Sequence, residues 1–350
     1  MEHVASYVDK SHLKNNFLIT MKTFLYKLKN GRNSKFNAYV RGLINQLTPR
    51  WISTRRIKNQ ITKISTSSDF DYILSRVNYY NKLEEKTTPI KLSDNAKIVG
   101  DFKHKKRQLM YYIDLNAVLR GFPKSLKYEA LFGDITTIPE APCFVKSRPI
   151  NNINKNAVIL KLNSIRHFNF INNDIPFNKK NNKVIFRGKV HQQHRLDFFE
   201  KYFDNKLFDL GDTSHKPKHN NSNWLKAKMT LKEQLKNKFV LCIEGNDTST
   251  SLKWEMSSNS IAVMPRPKYE TWFMEGTLIP NVHYIEIAPD YSDAIEKINY
   301  YIEHEDEALN IIKNAHKFVN QFKDKKRERL IGWLVANKYF SVTNKQYHAF

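Results

Sequence analysis

Apolar residues follow two different spacings along the chain, and the spacing changes near residue 108. Before this point they recur at helical spacing among lysines, as in the run from Phe70 to Leu74 that Ser68 precedes as a helix cap. Beyond it, short continuous apolar runs alternate with helical stretches, which is typical of α/β layers with mainly parallel sheets. The predicted strands are 109–113, 143–145, 157–162, 184–186, 239–243, 261–264 and 283–287.

Three segments follow from this pattern. The lysine- and asparagine-rich stretch 178–183 is predicted to be a linker, because it separates two series of apolar runs. Residues 1–180 would then form an N-terminal domain whose first 100 residues are basic and mostly helical. Residues 181–325 would form a second α/β domain, and 326–350 a helical segment that could pack back on the first.

The composition indicates a folded protein with a negatively charged partner. The 350 residues are 41% hydrophobic, which excludes wholesale disorder. Lysine and arginine number 58 against 34 acidic residues, so the formal net charge is +24. Nucleic acid, an anionic membrane and a phosphorylated small molecule all fit this charge, and biased codon usage could account for part of it.

The chain has only two cysteines, Cys143 and Cys242, which are 99 positions apart and form neither a disulfide framework nor a thiolate zinc site. We find no signal-peptide pattern and no apolar run of about 18 residues, so we expect a cytoplasmic protein that does not span a membrane. Residues 17–29 place apolar positions at helical spacing among lysines. They could rest on an anionic membrane or form an ordinary surface helix.

No metal site is predicted. Asp69 and Asp71 match the Asp-x-Asp pattern of one class of sugar transferases, but they fall in the first helical turn, where the helix dipole alone favours carboxylates. Two histidine pairs have zinc-compatible spacing, and Pro217 interrupts the second. These pairs are His191 with His194 and His215 with His219.

Two loops after predicted strands carry candidate binding residues, since ligands of open α/β sheets bind beyond the carboxyl ends of the strands. Backbone amides at a helix start, together with an arginine, suit a diphosphate. The first loop contributes Arg187, Gly188, Lys189 and Arg195, and the second contributes Gly245, Asn246, Asp247, Ser251 and Lys253. Each loop by itself is equally consistent with a capped helix start and solvated cations.

Residues from about 108 to 320 resemble the lipopolysaccharide A-type glycosyltransferases of glycosyltransferase family 90, which includes the Rumi and CAP10-like enzymes. Six ordered blocks carry the resemblance: 142–149, 161–168, 185–188, 244–247, 251–254 and 278–284. It implies a GT-B fold, in which two Rossmann-like domains face each other across a cleft and the C-terminal one binds the donor. It also implies no metal and no cofactor, with a UDP-sugar as the donor substrate.

The resemblance also implies roles for single residues. Arg195 stands seven positions after Gly188, as does the family's diphosphate-binding arginine, and Lys253 replaces the family's next phosphate-binding arginine. Lysine lacks the bidentate geometry of arginine. Lys189 stands where the family often has serine. Glu270 matches an acidic position near the donor, with a helix-start carboxylate as the alternative, and His283 and Tyr284 could face the donor pocket.

Asp134 is the predicted general base. Direct displacement at an anomeric carbon needs a base within hydrogen-bond reach of the acceptor hydroxyl. Asp134 is the nearest match to the family's catalytic carboxylate, upstream of the block at 142–149. Asp114 and Asp174 remain alternatives, and Asp134 could simply cap a turn.

The predicted activity is transfer of a hexose, glucose or galactose, from a UDP-sugar to a lipopolysaccharide or lipooligosaccharide core sugar, with inversion and without a metal. Such an acceptor would hold the enzyme peripherally at the inner face of the inner membrane, where the positive charge is useful. A protein or capsular polysaccharide is an alternative acceptor. A basic nucleic-acid-binding protein is the alternative from another class, but no DNA- or RNA-binding signature supports it, and we expect no nucleic-acid partner.

Overall fold

The computed structural model describes residues 31–66, 68–85, 88–102, 108–345 and 347. The amphipathic stretch predicted at 17–29 lies outside the described residues. The helices are α1 (Lys35–Leu47), α2 (Arg50–Thr62), α3 (Phe70–Tyr80), α4 (Leu109–Leu119), α5 (Ser164–His167), α6 (Gln193–Tyr202), α7 (Leu231–Gln234), α8 (Leu252–Glu255), α9 (Ala294–Glu303), α10 (Glu305–Asn320) and α11 (Lys325–Thr343). The strands are β1 (Lys97–Ile98), β2 (Lys127–Tyr128), β3 (Cys143–Val145), β4 (Ser147–Pro149), β5 (Ala157–Ile159), β6 (Asn181–Gly188), β7 (Phe208–Asp212), β8 (Asn237–Leu241), β9 (Ile261–Met264), β10 (Tyr269–Thr271) and β11 (Ile285–Glu286).

A five-stranded parallel sheet organises the C-terminal part, in the order β7-β6-β8-β9-β11. Its central strands are buried on both faces, which explains why they are continuous apolar runs in the sequence. The strands predicted at 184–186, 239–243 and 261–264 are confirmed as β6, β8 and β9, and the strand predicted at 283–287 is confirmed only at Ile285–Glu286. The predicted linker 178–183 is not a loop throughout, because its second half, from Asn181, is the start of β6.

The strand order creates a crevice at one edge of the sheet. β6 lies between β7 and β8, so the chain leaves β6 toward β7 on one side and later returns to β8 on the other. The loops after β6 and β8 therefore diverge at the carboxyl edge of the sheet, at the position where sheets of this order bind their ligands.

The part before Asn181 is built differently. Its described strands are two or three residues long and pair two at a time: β1 with β2, β3 with β5 in parallel, and β4 with β10. The α/β class is confirmed, together with a parallel sheet. The arrangement of two Rossmann-like domains stays a prediction.

The strand predicted at 109–113 is wrong, since these residues begin the helix α4. α4 packs against α1, α5 and α11, and side chains around most of its circumference are buried. It therefore lacks the one-sided apolar stripe that identifies a surface helix, and its first five residues look like a buried strand. Periodicity alone does not separate these two cases in a short apolar run.

The last helix, α11, packs against α2, α3 and α4. Its Glu328 is buried and lies 2.9 Å from Arg76 of α3 and 3.0 Å from Lys161. The Trp272 indole donates to the same carboxylate over 2.6 Å. This buried network joins α3 and α11 to Lys161 and to Trp272, which follows β10. Within the described residues, no helix is long and apolar enough to cross a membrane.

Candidate active site

A buried lysine joins two carboxylates where the N-terminal part meets the loop after β8. The Lys146 ammonium lies 2.6 Å from Asp134 Oδ1 and 2.7 Å from Asp247 Oδ2. The Ser147 hydroxyl donates to Asp247 Oδ2 over 2.6 Å. The side chains of Lys146 and Asp247 are buried, whereas 33% of the Asp134 side chain is exposed. Asp134 is therefore the member of this cluster that a bound molecule can reach most easily.

Asn246 and Gln192 extend this cluster to the loop after β6. The Asn246 amide donates to Asp134 Oδ2 over 3.1 Å. The Gln192 amide, just before α6, donates to Asn246 Oδ1 over 2.9 Å. Asp134 is thus connected to both loops of the crevice at the carboxyl edge of the sheet.

The opposite charges of this cluster stabilise the ionised forms of its residues. Burial acts to raise the pKa of the Asp134 carboxyl, but the hydrogen bond and positive charge of Lys146 outweigh it and hold that pKa below its ordinary value. Burial acts to lower the pKa of Lys146, but the negative charge of Asp247, together with Tyr111 and the hydrogen bonds to Asp134 and Asp247, outweighs it and raises that pKa. At neutral pH Asp134 is therefore ionised and Lys146 is protonated.

Arg195 clamps the two loops of the crevice together. Its guanidinium donates to the carbonyl oxygens of Lys189 at 2.7 Å, Ile243 at 2.8 Å and Glu244 at 2.9 Å. Burial lowers the pKa of Arg195 to about 10, so it remains charged at neutral pH. A guanidinium has five N–H groups, and these three bonds leave two of them for a ligand. Gly245 lies beside it, where a Cβ would be 3.6 Å from the guanidinium.

Lys253, the second predicted phosphate-binding cation, is fully buried and ion-paired with Glu275. Glu275 also accepts hydrogen bonds from the amide and hydroxyl of Thr271. The Ser251 hydroxyl bonds the Ser249 hydroxyl at 2.9 Å. In this structure the ammonium of Lys253 therefore holds α8 against the segment after β10.

Arg187 and Lys189 differ in their surroundings although they are two residues apart. Both terminal oxygens of Asp209 on β7 accept from Arg187, at 2.8 and 3.0 Å. Lys189 is exposed at the start of the loop. Between them, a Cβ at Gly188 would lie 2.8 Å from the ring of Phe186, so a larger residue here would displace that ring.

Glu270 lies on strand β10, and the alternative that it is a helix-start carboxylate is wrong. The buried Arg148 guanidinium donates to its Oε1 over 2.7 Å. The Tyr79 hydroxyl donates to its other oxygen. Since Glu270 and Arg148 face each other in the β4–β10 pair, this ion pair fastens the two parts of the chain together.

The alternative base candidates stabilise local structure. Asp114 accepts from the amide and hydroxyl of Ser164 at 2.7 and 3.0 Å, at the start of α5. Burial raises the pKa of Asp114 to about 6. Asp174 pairs with the buried Lys180 at 2.7 Å and accepts from the Asn259 amide at 2.8 Å.

The remaining candidate metal-site and donor-pocket residues contact partners outside the Asp134 cluster. The Asp69 carboxylate pairs with Arg327, and the described residues contain no cluster of His, Cys, Asp and Glu suited to a metal ion. Tyr284 is buried in the core and His283 accepts from the Ile279 amide. Three histidines of the two pairs with zinc-compatible spacing form hydrogen bonds within the protein. They are His191 with Ser214, His194 with the Glu244 carbonyl, and His219 with Asp212.

Sequence reasoning missed several residues of the site. Lys146 and Ser147 lie in the block 142–149 that carries the family resemblance, and that block was the available signal for them. Glu244 lies three residues after β8, and burial raises its pKa to about 7 although the backbone amides of Lys268 and Tyr269 donate to it. His167 is buried with both ring nitrogens unpaired, and burial followed by the charge of Lys146 lowers its pKa.

Comparison with known proteins identifies the family. The model of Glycosyl transferase family 90 matches residues 151–327, about half of the chain. The chain is 42% identical over 278 residues to the O-glucosyltransferase LpsA of Dichelobacter nodosus, covering 78% of this chain and 84% of that protein. The chain belongs to glycosyltransferase family 90.

A family 90 member is a transferase, so this chain is an enzyme that moves a sugar from a donor to an acceptor. A second relative, the uncharacterized protein 179R of Invertebrate iridescent virus 6, is 29% identical over 101 residues, covering 27% of this chain and 8% of the viral protein. The family match includes both loops of the crevice and begins after Asp134 and Lys146.

Proposed function

We propose that this enzyme transfers glucose from a UDP-sugar to a core sugar of lipopolysaccharide or lipooligosaccharide, by a single inverting displacement that uses no metal. The O-glucosyltransferase name of the Dichelobacter relative supports glucose as the sugar. The resemblance to lipopolysaccharide A-type enzymes supports the acceptor class. In this proposal the two parts of the chain form a GT-B pair, with the donor at the carboxyl edge of the five-stranded sheet.

Asp134 acts as the general base, and the observation that carries this role is its contact with Lys146 and Asn246 beside the crevice. The acceptor hydroxyl gives its proton to the Asp134 carboxylate while its oxygen attacks the anomeric carbon. The bond from that carbon to the diphosphate oxygen breaks, and the nucleoside diphosphate leaves. Each carboxylate oxygen has two lone pairs, so a bond to Lys146 leaves room for the acceptor hydroxyl.

Lys146 and Asn246 orient the base. They fix the Asp134 carboxylate through both of its oxygens, so its position does not depend on the acceptor. The low pKa of Asp134 keeps it ionised across the neutral range, although it also limits its strength as a base. In this proposal orientation contributes more to the rate than basicity.

The leaving diphosphate needs positive charge as its bond breaks. The two remaining N–H groups of Arg195, the exposed Lys189 and the backbone amides that follow Gly245 surround the crevice between the two loops. Lys253 stabilises the loop after β8 indirectly, because its ion pair with Glu275 holds α8 in place. The net charge of +24 attracts both the donor and a phosphorylated acceptor, and favours a peripheral position at the inner face of the inner membrane.

The test is transfer from a panel of UDP- and other nucleotide sugars to a lipooligosaccharide core, with chelator present. We expect UDP release and product formation with UDP-glucose, and a product whose anomeric configuration, read by NMR coupling, is opposite to that of the donor. Retention of configuration would contradict the inverting displacement. Dependence on an added divalent cation would contradict the proposed electrostatics, and preference for another sugar would contradict the assignment of glucose.

A further inference from the structure

Helix α1 turns an apolar stripe toward solvent. Phe36 and Leu47 are each 72% exposed, although they are large apolar residues near the two ends of the helix. Trp51, in the first turn of α2, is 66% exposed. We call this surface the α1 face; it consists of Phe36, Val40, Leu43, Ile44, Leu47 and Trp51. The α1 members recur every three or four positions, so they share one side of the helix.

The other side of α1 is fixed to the protein by small residues. Ala38 and Gly42 are buried, and a Cβ at Gly42 would lie 3.0 Å from Ile113 of α4. Before the helix, the Asn33 amide donates to the carbonyls of Ile165 at 3.2 Å and Phe168 at 2.9 Å. The orientation of α1 is thus determined by close packing, and its apolar residues point outward from a fixed position.

The charged residues of the segment that forms α1 and α2 all have one sign, although Asp114 of α4 lies 3.7 Å from Arg41. Residues 31–66 contain eight lysines and arginines and no aspartate or glutamate. Among them, Arg55, Arg56 and Lys58 on α2 are exposed. The full set is Arg32, Lys35, Arg41, Arg50, Arg55, Arg56, Lys58 and Lys63. A partner that accepts both an apolar stripe and this many cations must present hydrocarbon beside negative charge.

We propose that the α1 face docks on the surface of an anionic phospholipid bilayer, with the stripe in the interface and the cations of α2 against the headgroups. An amphipathic helix with apolar and basic faces binds membranes in this way. Burial of large apolar side chains and attraction of lysine and arginine to anionic headgroups both contribute. This inference rests on the peripheral membrane position proposed above and assigns a surface to it, but it does not depend on the proposed sugar transfer, because it concerns binding alone.

Helices α4 and α5 connect the α1 face to a residue whose charge acts on the candidate base. α4 supports the α1 face through Ile113, and its next residue, Asp114, bonds Ser164 at the start of α5. α5 carries Arg166, whose positive charge helps to lower the pKa of Asp134. The helix that packs against the proposed membrane anchor is therefore bonded to the helix that carries Arg166.

Trp51 provides a direct measurement. The chain has five tryptophans, and the other four are buried with at most 7% exposure; they are Trp224, Trp254, Trp272 and Trp333. Adding vesicles that contain about one third anionic phospholipid should shift the tryptophan emission to shorter wavelength, because Trp51 leaves water. Vesicles of neutral phosphatidylcholine should produce little shift, and high salt should weaken the effect.

Two sets of variants test the contributions of the apolar stripe and of the α2 cations, with binding measured by vesicle sedimentation. Phe36→Ser/Leu47→Ser/Trp51→Ser should lower the partition coefficient at least about 100-fold. Ile153→Ser, which removes an equally exposed apolar residue elsewhere, should leave it unchanged. Arg55→Gln/Arg56→Gln/Lys58→Gln should lower it by about fivefold per cation. The control removes the same charge from exposed positions of another loop, as Lys216→Gln/Lys218→Gln/Lys228→Gln.

Several results would overturn the proposal. These are absence of binding to anionic vesicles, unchanged binding by the serine variant, and equal losses in the two charge variants. A Trp51 emission shift with protein concentration alone, together with a dimer in light scattering, would assign the face to a second copy of the chain. Transfer to a soluble acceptor should be the same in the serine variant and the wild type, so failure of docking is distinguishable from failure of the proposed activity.

Discussion

Replacing Lys146 by methionine tests whether this lysine holds Asp134 in its ionised, oriented form. Methionine occupies a similar volume but lacks the ammonium, so Asp134 loses a 2.6 Å ion pair and Asp247 loses one of 2.7 Å. Asp247 stays buried with the Ser147 hydroxyl on the same oxygen. The substitution therefore leaves one carboxylate buried without its cation and frees the other.

The expected loss of stability follows from the buried partner. Removing one member of a buried ion pair costs about 3–5 kcal/mol, because the remaining charge is left uncompensated. We expect this loss for Lys146→Met in urea unfolding near neutral pH. Asp247→Asn added to the variant should restore part of the stability, since the unpaired charge is then gone.

The pH dependence should change in a defined direction. Lys146 holds the pKa of Asp134 below its ordinary value of 3.8, and transfer requires the ionised form. Without Lys146 that pKa rises, because the Asn246 hydrogen bond and the charge of Arg166 then oppose the effect of burial without the help of Lys146. The acidic limb of kcat/KM should therefore move to higher pH in Lys146→Met, while the plateau at higher pH is retained in part.

Lys180→Met is a matched control. Lys180 is buried and lies 2.7 Å from Asp174, away from the crevice, so its loss should lower stability by a similar amount. Its kcat/KM profile should keep the wild-type acidic limb. Identical limbs in both variants, or a stability loss below about 1 kcal/mol for Lys146→Met, would refute this reasoning.

Three further predictions follow from buried charges. Arg195→Lys should raise the donor KM about tenfold with a smaller change in kcat, because one ammonium cannot replace the three-carbonyl clamp; unchanged KM would contradict the clamp. Burial raises the pKa of Glu244 from 4.5 to about 7, so its ionisation opposes folding increasingly as pH rises through this range. Glu244→Gln should therefore be more stable than the wild type by ~1–3 kcal/mol at pH near 8 and equally stable near pH 4 in urea unfolding; a gain confined to acid pH would contradict the sign. Arg148→Met should cost about 3–5 kcal/mol by leaving the Glu270 carboxylate buried without its cation, whereas Arg266→Met, at an exposed ion pair, should cost far less in the same assay.

The strands that were predicted correctly are short runs in which every residue is buried. β8 and β9 are buried on both faces, and their continuous apolar runs identify them as strands. The same property misled the prediction for α4, which is also buried on most sides. Local pattern therefore reports burial reliably, and it distinguishes helix from strand only where one face is exposed.

The sequence alone does not show which residues the site residues contact. Ser147 and Asp247 are 100 positions apart and meet only because β4 and the loop after β8 come together in the fold. Motif position suggested Arg195 and Lys253 as equivalent cations, yet one binds carbonyls at the crevice and the other a buried carboxylate. The outward apolar side of α1 was also missed, because periodicity shows that a helix has two faces without showing which one is covered.

Single-turnover transfer with saturating donor tests Asp134 as the general base most directly when three aspartate variants are compared. Asp134→Asn should keep its fold and UDP binding but lose about 1,000-fold in rate, in the range expected for removal of a general base. Asp114→Asn and Asp174→Asn, the alternative candidates, should retain rates within about tenfold of the wild type wherever they remain folded, because their carboxylates bond α5 and Lys180. A folded Asp134→Asn enzyme with nearly wild-type rate, or an equal loss in either other variant, would contradict the assignment of Asp134 as the base.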